Sequence, residues 1–420
     1  MEKLIAELMI SDMKERMDPS QYGNQKGISI QHYLINMIHR ILSTLDNNKR
    51  KQTFAVLANF IDWNNAFPRQ CPNLGIKSFL HNGVRPSLIP VLINYFQDRE
   101  MTVKWHGCLS NPRRINGGGP QGATIGILEY LSQSNNNTDF IDIQDKFKFV
   151  DDLTVLEIVN LISVGLTSYN TKNHIPSDIS TDNHFIPPQN LKSQDWMEKI
   201  NSWTLNQKMQ LNKKKTKNMF FNFTNKYQST TRLQIENENV EVLDSTKLLG
   251  TVISNDLKWE LNTKNIVKKA NSRMEILRKA SQFGASTNDL KLIYFLYIRS
   301  QLEQSSTVWH STLTLQNCRD LERIQKTAIR IILKNEYNGY KKSLDKLQLE
   351  NLSERREFLS LNFAIKCLKN EKMKKMFPLN QKLNKRSKKV YSVQHANTER
   401  FKKSSIIYMQ NLLNRYQLNI

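Results

Sequence analysis

Phe147-Lys148-Phe149-Val150-Asp151-Asp152-Leu153-Thr154-Val155-Leu156 decides how the rest of this chain is read. Two short runs rich in aromatic and β-branched residues flank an Asp-Asp pair, and neither run holds a Gly or Pro. The pattern predicts two antiparallel strands joined by a tight turn, with Asp151 and Asp152 at its tip. Adjacent carboxylates repel one another unless water screens them or a cation lies between them. An Asp-Asp pair by itself reads as a solvated hairpin tip, so the decision rests on what accompanies it.

Upstream, Phe54 to Ile61 is an apolar run that closes on Asp62. A carboxylate at the end of a buried strand is rigidly aimed, as metal ligands commonly are. Between the two acidic sites lies Gly117-Gly118-Gly119-Pro120-Gln121-Gly122, leading into Ala123 to Leu131, which reads as a helix. Glycines remove side-chain bulk, and N–H groups at a helix start suit a phosphate or a passing base pair. An Asp at a strand end, a glycine loop and an Asp-Asp hairpin, in that order, point to nucleotide polymerisation on two divalent metals.

The chain has 420 residues, with 61 Lys and Arg against 38 acidic residues, a net charge of +23. It is long enough for two or three packed units. Such a charge points to a polyanionic partner, nucleic acid first, with mere solubility as the competing reading. Cys71, Cys108, Cys318 and Cys367 are too scattered for a zinc site or a disulfide framework, and the histidines make no zinc-like pair. The start carries no signal peptide, and Leu153 to Leu166, the most apolar stretch, is interrupted by Glu157 and Asn160. The expectation is a protein of nucleus or cytoplasm, neither secreted nor in a membrane.

In chain order, helical spacing occupies residues 1 to 48, broken at Asp18-Pro19-Ser20 and by a loop from Gln21 to Gly27. His32 and His39 read as packing or surface residues of the second helix. Leu88 to Phe96 reads as a helix and Met101 to Trp105 as a strand. Residues 169 to 192, rich in Asn, Ser, Thr and Pro, form a surface insertion; Trp196 to Leu211 is helical and Asn218 to Phe223 a strand. Leu243 to Val252 reads as a hairpin. Beyond Trp259 long helices take over, the first ending at Gly284. Near 319 to 334, Arg319, Arg323, Lys326, Arg330 and Lys334 line one helix face, opposite Leu321, Ile324, Ala328 and Ile331. That stripe either faces phosphates or is simply solvated. Residues 371 to 403, with Lys374-Lys375, Lys385-Arg386 and Lys388-Lys389, read as a flexible basic tail.

Five blocks in order resemble the reverse transcriptase of non-LTR (LINE-type, jockey-like) retrotransposons. They are Phe60-Ile61-Asp62-Trp63-Asn64-Asn65-Ala66-Phe67, Gly119-Pro120-Gln121-Gly122, Phe149-Val150-Asp151-Asp152, Asn212-x-x-Lys215-Thr216 and Leu248-Leu249-Gly250. The resemblance covers roughly residues 15 to 370. It implies an α+β right-hand polymerase: partial fingers over 1–53, a palm with an antiparallel sheet over 54–259, a helical thumb over 260–335 and a basic helical extension over 336–420.

The same resemblance implies two Mg²⁺ ions, or Mn²⁺, on Asp62, Asp151 and Asp152, with Lys215 neutralising or protonating the departing pyrophosphate. Phe67 would exclude a ribose 2′-hydroxyl, Gln121 and Gly122 would border the templating base and incoming nucleotide, and Lys26 would meet the triphosphate. Leu248, Leu249 and Gly250 would form the primer grip. Partners would be an RNA template, a DNA primer and dNTPs, with endonuclease activity coming from another chain. The chain departs from the family's pattern in four ways. Asn24-Gln25-Lys26 replaces an expected Arg, Pro68 replaces a frequent Asp, Val150 replaces the usual Ala, and no endonuclease domain or first fingers motif precedes. The expectation is a 5′-truncated copy, either active or a relic that only binds nucleic acid.

Overall fold

Phe54–Ile61 is free of chain breakers and forms strand β1, buried along all but its first residue. The computed structural model describes residues 1–47, 54–115, 117–120, 122–161, 191–223, 233–380 and 390–416. The strands β2 (Lys146–Phe149), β3 (Asp152–Asn160), β4 (Lys217–Phe221) and β5 (Glu241–Val242) join β1 in one sheet, ordered β5-β4-β1-β3-β2. β1 and β3 pair antiparallel from Phe54↔Asn160 to Ile61↔Leu153. β2 and β3 form the expected hairpin, from Lys146↔Val155 to Phe149↔Asp152. The turn is therefore Val150-Asp151, and Asp152 already belongs to β3 rather than to the tip. β5 runs parallel to β4, so the sheet is mixed where a purely antiparallel one was expected.

The chain divides into two compact units. The first comprises Met1–Ser29, Lys51–Phe220 and Thr224–Leu243 and contains the sheet. The second comprises Ile30–Arg50, Phe221–Phe223 and Asp244–Ile420.

In the first unit, α1 (Glu2–Met13), α3 (Pro72–His81), α4 (Ile89–Phe96) and α5 (Thr124–Gln133) share a core of Ala6, Met9, Met13, Phe79, Leu92, Phe96 and Leu128; α2 (Ile30–Asp46) belongs to the second unit. A second core, including Leu57, Ile61, Tyr130, Val155 and Ile200, fills the space between the sheet and α6 (Lys192–Asn206). Each such aliphatic side chain contributes about 1.5–3 kcal/mol on burial. Glu157, which interrupts the apolar run of β3, is buried because its carboxylate accepts the Lys192 and Ser193 N–H groups, both at 2.8 Å, at the start of α6. The expected strand at Met101 to Trp105 is instead two short ladders, Glu100–Met101 with Arg113–Arg114 and Lys104–Trp105 with Cys108–Leu109. Both are exposed on every residue, so neither face had a core to fix a longer strand.

The second unit holds α2, a hairpin of β6 (Ser245–Leu248) and β7 (Thr251–Ser254), and the helices α7 (Glu260–Gln282), α8 (Leu315–Leu333), α9 (Leu352–Leu368) and α10 (Ser405–Arg415). On α7 the stripe Ile266, Ala270, Met274 and Leu277 is buried, and Gly284 follows with φ of 83°. His32 stacks on Phe363 at 4.4 Å and His39 on Phe401 at 5.4 Å, as packing residues. The flexible-tail expectation is overturned for the described part. Met373, Phe377, Tyr391 and Phe401 are buried, and Asp46 accepts from Asn397 and Thr398. Irregularly spaced aromatics anchor this segment, which helical periodicity does not detect. Lys385, Arg386, Lys388 and Lys389, and residues 169–190 of the expected insertion, lie outside the described residues. Among the described residues no helix is long and apolar enough to cross a membrane.

Candidate active site

β1 and β3 carry three carboxylates to one end of the sheet. Their last paired residues are Ile61 and Leu153, so one further step in register sets Asp62 opposite Asp152. Directly opposed residues in an antiparallel pair lie about 4.5–5.5 Å apart at Cα. Asp151 precedes Asp152 in the turn, and all three side chains are half-buried. Burial, then repulsion from Asp151 and Asp62, pushes Asp152 up to about 6. Burial also raises Asp151. Asp62 is raised by burial and by Asp151, against the opposing effects of Lys215 and a hydrogen bond from Asn212. Oδ2 of Asp62 is buried with no hydrogen-bond partner. These oxygens crowd negative charge where water is scarce, a donor set suited to a hard divalent cation. Among the described residues, though, no group of three or more His, Cys, Asp or Glu side chains is arranged to hold a metal ion.

The turn itself is strained. Val150 adopts φ of 57°, a region that β-branched residues strongly disfavour. A buttress from the N-terminal segment holds it. Oε1 of Gln21 accepts the Val150 N–H at 3.0 Å and the Gly23 N–H at 2.8 Å. Tyr22 N donates to Lys148 O at 2.8 Å, and Lys148 N donates to Ser20 O at 3.0 Å. Gly23 is required there, because a Cβ would lie 2.5 Å from Val150 Cγ2. Behind the turn, buried Asp18 meets Lys148 Nζ at 2.6 Å and Lys146 Nζ at 3.3 Å. Asp18 is held at about 2 although burial opposes that, whereas burial pulls Lys148 down to about 8. One carboxylate serves two ammonium groups, so the lysine side is the underpaid one. Carbonyls of Ser134 and Asn135 take further Lys148 N–H bonds, at 3.3 and 2.9 Å.

Lys215 is brought to the carboxylates by the loop from Met209 to Thr216. Asn212 N donates to Asp62 O at 2.8 Å, and Asp62 N donates to Thr216 Oγ1 at 3.3 Å. The exposed Lys215 ammonium favours the charged form of Asp62, against the effect of burial. Phe67 is half-buried with its ring 5.2 Å from Tyr130. Tyr130 is fully buried, and the charges of Asp151, Asp152 and Asp62 add to burial in raising its hydroxyl pKa. Sequence reasoning missed this residue, since on α5 it reads as one more apolar position.

The glycine loop folds back on Phe67: Gly119 N donates to Phe67 O at 3.0 Å and Gly118 N to Gln70 O at 2.8 Å. A Cβ on Gly119 would lie 1.9 Å from Gln70 Oε1, so the buried Gln70 amide would have to move to admit one. Under the loop, Glu129 is fully buried with neither carboxylate oxygen hydrogen-bonded, and burial pushes it up to about 7 against Arg99. Gly122 is exposed at the turn before α5. Lys26 is exposed and is not among the charges that shift the three carboxylates. Gln121 lies outside the described residues.

The other predicted residues belong to the second unit. Leu249 and Gly250 form the two-residue turn after Leu248, with φ of 46° and 86°, a twist suited to a tight hairpin. On α8, Arg319, Arg323 and Arg330 are exposed; Lys326 is half-buried over the Tyr340 ring. The opposite face buries Leu321, Ile324, Ala328, Ile329 and Ile332, and Ile331 is only half-buried.

No known protein family matches the chain, and no curated protein does. Among solved structures it is similar to the apo telomerase of Candida tropicalis, at 13% identity and a TM-score of 0.41 over 89% of this chain and 54% of that one. It is also similar to telomerase from Candida albicans in complex with the TWJ fragment of telomeric RNA. That likeness has 10% identity and a TM-score of 0.37 over 87% of this chain and 50% of the other. The chain thus spans about half the length of the telomerase chains it matches. At these TM-scores the likeness carries no argument, so the chemistry rests on the carboxylates at the sheet end and the residues around them.

Proposed function

We propose that the first unit catalyses template-directed nucleotidyl transfer, as an RNA-directed DNA polymerase of the non-LTR retrotransposon kind. One observation carries the reading. Asp62, the adjacent pair Asp151 and Asp152, and Lys215 come from three separate stretches of sequence and act on one another at one end of the sheet. Two Mg²⁺ ions on these carboxylates would activate a primer 3′-hydroxyl and screen the triphosphate. Asp62 offers an unpartnered Oδ2 for such an ion, and the buttressed turn fixes Asp151 and Asp152 before substrate arrives. Lys215 is the chain's own cation for departing pyrophosphate. Phe67, backed by Tyr130, is the candidate wall against a ribose 2′-hydroxyl. The RNA template, DNA primer and dNTPs follow from this activity.

A second reading, a chain that binds nucleic acid without catalysis, draws on the exposed Arg319, Arg323 and Arg330 of α8. Primer extension on poly(rA)·oligo(dT) separates the two. The polymerase reading expects extension that requires Mg²⁺ or Mn²⁺ and falls roughly a thousandfold or more in Asp151→Asn with the fold retained. Extension that persists in EDTA, or at wild-type rates in Asp151→Asn, would falsify the metal-site reading. No extension alongside tight duplex binding selects the second.

A further inference from the structure

Glu129 of α5 lies at 0% relative exposure beneath the glycine loop, with Gln70 beside it at 2%. Neither oxygen of the Glu129 carboxyl finds a hydrogen-bond donor, and nor does Oε1 of Gln70. The orphaned oxygens border one point. A Cβ built on Gly119 would lie 1.9 Å from Gln70 Oε1 and 3.2 Å from Glu129 Oε2. From the other side α3 closes on the carboxyl, since a Cβ on Gly75 would lie 2.7 Å from Glu129 Oε1. Three buried acceptors are costly unless one of them carries a hydrogen itself. Only the carboxyl group can, as its neutral acid.

Gln70 ties this corner together. Its Nε2 donates to Gly126 O of α5 at 3.4 Å, and its backbone oxygen accepts Gly118 N at 2.8 Å. Three residues earlier, Phe67 O accepts Gly119 N at 3.0 Å. Arg99 holds the loop from its far side: Nη2 donates to Gly118 O at 2.5 Å, while Nε has no partner. Few groups face Glu129. α3 presents Gly75, α4 presents Tyr95, whose hydroxyl also feels Glu2 of α1, and Arg99 follows α4. Burial outweighs Arg99 and pushes Glu129 up to about 7, so the acid form prevails below that value and is lost as pH rises through it.

We propose that Glu129, as the neutral acid, is a positioning residue for the nucleotide site: its O–H donates to Gln70 Oε1 and so locks the glycine loop to the Phe67 segment. Ionised, it would face Gln70 Oε1 with negative charge and draw Arg99 from the Gly118 carbonyl, loosening the loop. The nucleotide role rests on the polymerase reading above; the lock does not.

Spectra of the full chain labelled with ¹⁵N-glycine read the native loop without unfolding it. Between pH 6 and pH 8 the Gly118 and Gly119 signals of wild type should shift with a midpoint near 7. Glu129→Gln keeps an N–H donor for Gln70, though the rest of its amide stays unpaired, and should hold the wild-type pH 6 positions throughout. Glu129→Leu fills the space without a donor and should lie away from those positions at both pH values. Wild-type pH 6 positions in Glu129→Leu would show that the residue only fills space, and static wild-type signals would show that there is no lock; either overturns the proposal. In primer extension the KM for dNTP should rise severalfold from pH 6 to pH 8 in wild type relative to Glu129→Gln, with the ratio of their kcat values constant. A loop that moves with an unmoved KM overturns the nucleotide role. A loop that moves in a chain without any extension supports the lock and brings down the polymerase reading.

Discussion

The sheet end of the first unit and the basic stripe of α8 in the second both crowd like charges, but they do so by different means. At the sheet end the backbone does the crowding. The register of β1 and β3 and a strained turn fix the backbone of Asp62, Asp151 and Asp152, so short side chains have little length over which to part. On α8 the charges ride on long side chains, and three of the four cations are exposed enough to move apart in water. Fixed charge of one sign costs stability until a counter-ion arrives, but is preorganised when it does. Mobile charge costs little and gives attraction without geometry. Arg356 of α9, wholly buried, is the exception in the second unit, fixed by burial as the aspartates are by register.

The largest expected effect tests whether the acidic end depends on its buttress. Asp18→Asn leaves Lys146 and Lys148 buried without a carboxylate, a loss expected to cost about 3–5 kcal/mol. Urea unfolding measures it. A change below about 1 kcal/mol would show that backbone hydrogen bonds alone hold the turn, and the contrast between fixed and mobile charge would lose its basis.

Glu129 extends the contrast to a carboxylate with no cation partner. Its pKa of about 7 lies above the ordinary 4.5, so the folded chain binds a proton that the unfolded chain releases. Stability should therefore fall as pH rises from about 4.5 to about 7. Arg99 and Tyr95 are the titratable groups felt there, and only Arg99 opposes the shift. Glu129→Gln should match wild type at pH 4 and exceed it at pH 8 by on the order of 1–3 kcal/mol, less whatever its own unpaired amide costs. Parallel pH profiles for the two proteins would remove Glu129 as a titrating group.

The smallest effect is on the mobile side. Replacing Arg323 and Arg330 with Ala should weaken binding to duplexes of any sequence and flatten the log-log salt slope by roughly one to two units. Asp151→Asn should leave the slope where it was. An unaltered slope in the double variant would mean that the stripe faces water alone.

Much of this contrast was legible in the sequence, for reasons that differ between the units. Asp62 and the Asp151-Asp152 pair stand out because breaker-free apolar runs mark where strands end. The α8 stripe stands out because period 3.6 sorts charge from apolar residues. The supports did not stand out. Asp18 reads as a helix break, and its partners lie more than a hundred residues away with no local signal. Val150 at positive φ goes against its own propensity. Tyr130 and Arg356 sit among helical residues whose spacing predicts burial but not what they face.

Gly23 shows how two distant positions come to share one fate. A methyl group there would press on Val150 Cγ2 at 2.5 Å and also on Val150 N at 2.6 Å. Trimming residue 150 to alanine would relieve the first contact and leave the second, because a backbone nitrogen cannot be mutated away. In genetic terms, Gly23 admits no suppressor at the position it touches. A lineage could drift at 150 while 23 stayed glycine, but the reverse path is closed.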